Sequence, residues 1–312
     1  MIIAGTTVAP GEEKQIDAQI AQLPTRTPIE IPIIVSRSKV EGPTLLVMGG
    51  MHGDEINGVE IVRRIIVHGY NKPAIGTVIC IPLLNIYGFI HFSRQVTDDG
   101  KDINRSFPGS KNGSLASQVA HLLSEEVLPH IDYGVDFHTG GARINNYPQI
   151  RAMLDNPINL ELATAFAPKF ILNAGFRDKS LRKEAAKLGK SILVYEGGES
   201  LRLRKNAVDQ GVSGLLRVMK HLGMREEAPV PTNKSIVIEK STWLRSKAAG
   251  LYHSFFRPGE AITKGTTVGL ITGPFGEYEF PMKAHISGHI IAINNNPVVN
   301  RGDALMHIGV PR

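Results

Sequence analysis

The sequence predicts an α/β fold: a mostly parallel sheet flanked by helices, followed by a small all-β domain. Three observations lead there. Apolar, β-rich runs alternate with helically spaced patterns from about residue 30 to 225. Several of those runs end abruptly in glycines and chemically active side chains, as strand ends of open α/β sheets do. After Gly223 the helical pattern stops, and short strands broken by glycine-rich turns replace it.

The elements follow in order. Residues 31–35 read as a strand, and the apolar run 45–48 as a buried one. Residues 55–68 form a helix carrying Ile56, Val59, Val62, Ile65 and Ile66 on one broad face. A strand is expected over 78–83. Ser114 is placed to cap a helix over 115–127, with Val119, Leu122 and Leu123 inward. Strands at 133–137, 170–172 and 192–195 alternate with helices at 160–166, 181–188 and 207–222. The last helix carries Val208, Val212, Leu215, Leu216 and Met219 at helical spacing. Residues 224–233 read as a linker dividing the chain into 1–225 and 226–312. Beyond it, strands at 236–238, 250–255, 267–272, 277–280 and 288–293 suggest a small sandwich or barrel.

Composition excludes several classes. A chain of 312 residues with 42% hydrophobic and 21% charged content is an ordinary globular protein of about two domains. No apolar run approaches the roughly 18 residues of a membrane span, and the N-terminus lacks a signal-peptide pattern; a cytoplasmic protein with no membrane partner is expected. The single cysteine, Cys80, lies in a β-rich apolar run, so no internal disulfide forms and the residue reads as a small hydrophobe. The net charge of +6 raises the question of nucleic acid. No basic run interleaved with aromatics and no zinc-finger or helix-turn-helix spacing accompanies it, so nucleic acid is not expected. The densest basic stretch, 177–187, reads as a solvated helix face. The charge can steer an anionic small-molecule substrate.

Chemistry concentrates at four places. The run Met48-Gly49-Gly50-Met51-His52-Gly53-Asp54-Glu55 places a histidine and a glutamate three residues apart, directly after a buried strand. Imidazole nitrogen and carboxylate oxygen suit zinc. Alone, this pattern is common, and His52 as a loop histidine with Glu55 in a helix's first turn accounts for it equally well. The same grammar recurs at Tyr133 to Gly141, where a strand ends at His138 followed by glycines. Two histidines and one carboxylate with an open fourth position form the catalytic zinc pattern, so the reading favours one Zn2+ per chain on His52, Glu55 and His138. A third strand, 191–195, ends at Glu196 and Gly197-Gly198-Glu199. Glu196, at the strand end itself, is the candidate general base on a metal-activated water. In Asp99 to Gly109, Arg105 offers a planar fork for a carboxylate and Asn104 an amide donor; alone they are a polar turn, and beside a metal site they become a substrate anchor.

The motifs HGDE, DINRSFPG, DFHTGG and YEGGE, in this order and spacing, resemble the succinylglutamate desuccinylase/aspartoacylase family of the zinc carboxypeptidase superfamily. The resemblance covers roughly residues 30 to 225. It implies a zinc-carboxypeptidase-like fold with His52, Glu55 and His138 as zinc ligands, Glu196 as general base, and Asn104 with Arg105 binding the substrate carboxylate. Arg94 is similar to the arginine that polarises the scissile carbonyl. The segment 147–151 looks like a family element near the pocket, with no role assigned. The implied activity is that of an amidohydrolase removing an acyl group from an N-acylated amino acid or related small carboxylate. A metallocarboxypeptidase and a non-catalytic metal-binding protein are the rival readings, and the acyl group, the amine partner and a homo-oligomeric state are left open.

The last domain resembles a biotinyl/lipoyl-type barrel in its turns at 257–265 and 297–305. Its hairpin, Gly273-Pro274-Phe275-Gly276-Glu277, has no lysine to modify, so the domain is expected to be a scaffold that rims the active site. His253, His285, His289 and His307, like His91, His121 and His130, read as packing or surface residues rather than a second metal site.

Overall fold

The computed structural model describes residues 1–22, 25–232 and 234–312. Asn233, the last residue of the expected linker, lies outside the described residues. The linker begins packed: Met224 is buried, and its carbonyl accepts the Ala74 N–H at 2.8 Å.

A two-stranded hairpin, β1 (Ile2–Ile3) and β2 (Thr6–Thr7), precedes the long antiparallel pair β3 (Glu13–Gln22) and β4 (Pro28–Arg37). Then follow β5 (Thr44–Gly49), α1 (Ile56–Val67), β6 (Thr77–Ile81), the short α2 (Ile86–Ile90) and α3 (Leu115–Leu122). The helix expected over 115–127 continues past Leu122 as a π-helical turn, Leu123–Val127. Ser114 stands at its N-terminus in an extended conformation, but its side chain makes no capping hydrogen bond. Next come β7 (Tyr133–Gly140), β8 (Ile144–Ala152), α4 (Pro157–Phe166), β9 (Phe170–Asn173), α5 (Leu181–Lys187), β10 (Ser191–Glu199) and α6 (Lys205–His221). The remainder is all-β: β11 (Ile236–Arg245), β12 (Gly250–Ser254), β13 (Ala261–Ile262), β14 (Thr267–Thr272), β15 (Glu279–Lys283), β16 (Gly288–Asn294), β17 (Val298–Val299) and β18 (Ala304–Pro311).

The main sheet has twelve strands in the order β13-β16-β18-β11-β9-β8-β10-β7-β5-β6-β4-β3. It is mixed rather than mostly parallel: among the described residues, five of its twelve pairings are parallel. One cause is local. Only Gly141 to Arg143 separate β7 from β8, too few residues for the crossover a parallel strand needs, so β8 runs back antiparallel to β10. Strands from either side of residue 225 join in this sheet. β11 pairs with β9, and β16 pairs with both β18 and β8, so β8, β9, β11, β18 and β16 close into a ring. The second sheet, β15-β14-β12-β17, packs onto that region through Tyr252, Val268, Ile271, Met282, Ile290, Leu305 and Ile308.

Two cores cover the faces of the sheet's centre. On one face α1, α4 and α6 bury Ile61, Ile65, Leu162, Phe166, Leu215 and Met219 against Val135, Phe137, Leu193 and Tyr195. On the other, Leu46, Met48, Ile79 and Ile192 meet Val119, Leu123, Leu181 and Ala185. Odd and even residues of β7 divide accordingly. Val135 and Phe137 enter the helical core, which sends Asp136 and His138 to the opposite face.

Candidate metal centre and active-site cleft

A cleft of about 700 Å³ opens over the carboxyl ends of β5, β7 and β10, and it is lined by His52, Glu55, Arg94, Asn104, Arg105, His138 and Glu196. All seven residues singled out in the sequence therefore face one space. Its far wall is built by Asn146 and Arg151 of β8, Leu172 and Asn173 of β9, Arg182 of α5, Ser241 and Trp243 of β11 and His307 of β18.

His52 and Glu55 sit on the turn between β5 and α1. A Cβ on Gly53 would lie 1.9 Å from the Gly88 carbonyl carbon, so only glycine lets this turn pass so close to α2. His138 approaches from β7. The Nδ1 atoms of His52 and His138 are 3.2 Å apart, and each lies 2.9 Å from a different Glu55 oxygen. The Thr139 N–H donates to Glu55 Oε2 at 3.0 Å. All three residues are buried, and their donor atoms fit within 4.8 Å of one another. On the outer side, His52 Nε2 is 3.1 Å from Asp102 Oδ1, and His138 Nε2 is 2.7 Å from Asp136 Oδ2. A carboxylate that accepts from Nε2–H holds the proton on that nitrogen and leaves Nδ1 to face the cluster. Histidines that ligate a metal are held in this way. The donor set thus fits a metal cation, and two imidazoles with one carboxylate suit zinc.

The electrostatics agree. Burial opposes charge on His52 and His138, but for His52 Glu55 and Asp102 outweigh it, and for His138 Asp136 and Glu55; both stay above the ordinary imidazole range. Burial likewise opposes ionisation of Glu55, yet the two histidines hold it well below the usual carboxylate range. The same concentration of negative charge that raises the two imidazoles suits a divalent cation between them.

Arg94 donates from Nη1 to Glu55 Oε1 at 3.0 Å, and from Nη2 and Nε to Asp102 Oδ2 at 3.1 and 3.2 Å. It is tied to the carboxylates around the cluster, with two of a guanidinium's five N–H donors left over. Asn104 Oδ1 accepts the Leu181 N–H at 3.0 Å, which leaves Nδ2 as its free donor end. Arg105 is exposed and bonds the Asn104 carbonyl.

Glu196 lies in register with His138 across β10 and β7, so the two side chains leave the same face as neighbours. The register shifts just after Glu196, where Gly198 takes φ +84°. That bulge ends regular pairing and turns the strand end into the cleft. Asn146 Nδ2 donates to Glu196 Oε2 at 2.8 Å, and Arg151 Nη1 stands 3.5 Å from Oε1.

Sequence reasoning missed Asp102, Asp136, Asn146, Arg151 and Arg182. Asp102 lies inside the DINR motif, and Asp136 stands two residues before His138 on the same strand face; both signals are legible. Arg151 falls in the segment given no role. His307, read as a packing residue, does pack, stacked on Trp243 at 4.7 Å and 7° between planes, but it also lines the cleft.

A mixed α/β sheet that carries a buried two-histidine, one-carboxylate cluster at its strand ends defines a protein class with a candidate metal centre in a cleft. Within it, this chain belongs to the succinylglutamate desuccinylase/aspartoacylase family, whose catalytic-domain model matches residues 41–222. It is 28% identical over 293 residues to the N-alpha-acetyl-L-2,4-diaminobutyric acid deacetylase of Halomonas elongata, covering 89% of this chain and 84% of that one. Its fold superposes on a succinylglutamate desuccinylase/aspartoacylase from Rhodobacter sphaeroides with a TM-score of 0.86, at 25% identity, covering 96% of this chain and 95% of the other. The product-bound ectoine utilization protein EutE (DoeB) of Ruegeria pomeroyi shares the fold, with a TM-score of 0.86 at 21% identity and the same coverage. No helix among the described residues is long and apolar enough to cross a membrane.

Proposed function

We propose that this protein is a zinc-dependent deacylase that hydrolyses the amide bond of an N-acylated amino acid or related small carboxylate. The family supports amide hydrolysis, and the deacetylase relative supports an acylated amino acid as substrate. The single observation that carries the reading is the placement of Glu196 beside His138 at the edge of a donor cluster suited to zinc.

His52, Glu55 and His138 would hold the ion. Zinc bound there supplies a Lewis acid for the scissile carbonyl and acidifies water to a pKa of about 7. The chain's own residues do the rest. Asp102 and Asp136 fix the histidine tautomers. Glu196 accepts a proton from the attacking water as its oxygen bonds the carbonyl carbon. It returns that proton to the amide nitrogen as the C–N bond breaks, giving a free amine and a carboxylate. Arg94 directs its spare donors at the oxygen that gains charge. Arg105 and Asn104 Nδ2 hold the substrate carboxylate and so orient the amide.

The charge of the cleft favours an acidic substrate over a diamine. Arg182 is sunk in its wall, where burial and then Arg151 pull its guanidinium down to about 10; it donates to the carbonyls of Ala174 and Gly175 and lies over the Phe176 ring, with no carboxylate bonded to it among the described residues. With Arg105, it offers a second cationic anchor.

The test is hydrolysis of N-acetyl and N-succinyl aspartate, glutamate and diaminobutyrate by wild type and Glu196→Gln at matched zinc occupancy. Turnover that falls about 10²- to 10⁴-fold in the variant is expected. Zinc-loaded wild type inert across the panel, or undiminished turnover by the variant, overturns the reading.

A further inference from the structure

We infer that Gln149 is a positioning residue for Glu196, acting through ordered water enclosed by the ring of β8, β9, β11, β18 and β16. The inference rests on Glu196 being the general base of the proposed deacylase. β10 lies between β7 and β8, and Glu196 is the register partner of His138 on one side and of Gln149 on the other. Three side chains therefore stand in one row across three strands, on one face of the sheet.

Gln149 is fully buried, and neither its amide nitrogen nor its amide oxygen has a hydrogen-bond partner among the described residues. A leucine or methionine would fill the same volume without burying two unpaired polar atoms. Its neighbour in the ring wall is Phe170, which contributes no hydrogen bond from its ring. The polar atoms left over nearby form a set. Asn146 Oδ1 and Arg151 Nε, on the same strand, and His307 Nδ1, on β18, are also buried and without a partner among the described residues. Yet Asn146 and Arg151 already hold Glu196 through their other atoms. Buried, unpaired donors and acceptors on strands of one ring are the kind of partner that ordered water needs, two to four for each molecule. Water on Gln149 ties the back of the Glu196 support to the ring wall and limits the rotamers the carboxylate can visit. The charged groups around that carboxylate are Arg151 on β8, His138 on β7, Arg94 on the loop before Asp102 and Arg182 on α5.

The experiment has two arms. A high-resolution crystal structure of the zinc-loaded wild type should show at least one water within hydrogen-bond reach of the Gln149 amide. Gln149→Met keeps the volume and removes both polar atoms; kcat should fall about 10- to 100-fold with KM and zinc content unchanged, and the acid limb of the kcat profile should move. Gln149→Asn retains an amide and should recover part of kcat. A dry Gln149 pocket in the map, or a Gln149→Met enzyme with wild-type kcat and pH profile, overturns the inference. If Gln149→Met does not fold, the map and Gln149→Asn decide. If wild type hydrolyses nothing, the deacylase reading fails by itself, and the map alone then tests the water site.

Discussion

His138 and Asp136 stand two residues apart on β7, with Nε2 2.7 Å from Oδ2, both buried. Strand alternation puts them on one face, and the carboxylate fixes which ring nitrogen turns to the cluster. Asp136→Asn keeps the size but removes the charge that holds Nε2–H. Zinc affinity, read by competition with a chromophoric chelator, should drop about 10- to 100-fold. An unchanged affinity would show that the Asp136 charge does not strengthen His138 as a ligand.

His307 supplies a pH dependence of stability. Burial, then the nearby Arg151, depresses its pKa to about 3. The unfolded chain binds a proton on this residue below about pH 6.5, while the folded protein refuses it until far lower pH. The stability it contributes is therefore complete above pH 6.5 and is lost as the pH falls towards 3. At pH 5 the loss amounts to about 2 kcal/mol. Urea denaturation at pH 7 and pH 5 should show that loss in wild type and a smaller one in His307→Gln. Parallel losses in both proteins would sink the assignment.

Arg105 is exposed at the cleft mouth, where a planar fork suits a carboxylate. Arg105→Lys retains the charge and loses the bidentate geometry. Steady-state kinetics should give KM raised about tenfold, with kcat changed much less. A change confined to kcat would instead place Arg105 near the reacting bond.

Gly53 has no room for a methyl group, since a Cβ there would meet Gly88 C at 1.9 Å and Phe89 N at 2.1 Å. Gly53→Ala should push the turn away from α2 and displace His52 and Glu55. We expect about 1–3 kcal/mol of destabilisation together with lost zinc stoichiometry. Full zinc content in a stable Gly53→Ala protein would show that the turn can yield.

Regular, apolar elements are legible because their periodicity is local. The strands leading to His52, His138 and Glu196 stand where the sequence predicts them, since each apolar run is too short for a helix and is closed by glycines. The sequence predicts no strand at β8. Its residues INNYPQIRA include two adjacent asparagines and a proline, which normally argue against a central strand. It persists there because its register to β10 shifts and because its polar side chains face the cleft and the ring interior instead of an apolar core. β3 does carry a signal that the sequence analysis lacks, with Ile16 and Ala18 buried between exposed polar residues in strand alternation.

The sequence by itself determined the donor types, their position at strand ends and the order of the motifs, because each depends on only a few adjacent residues. Tertiary structure alone decided that Asp102 backs His52, that Asn146 and Arg151 hold Glu196, and that β16 and β18 complete a ring with β8. These partners lie as many as about 150 residues apart in the chain. Register between distant strands and the packing of loops choose among the many partners that a local pattern leaves open, so no spacing in the sequence specifies them.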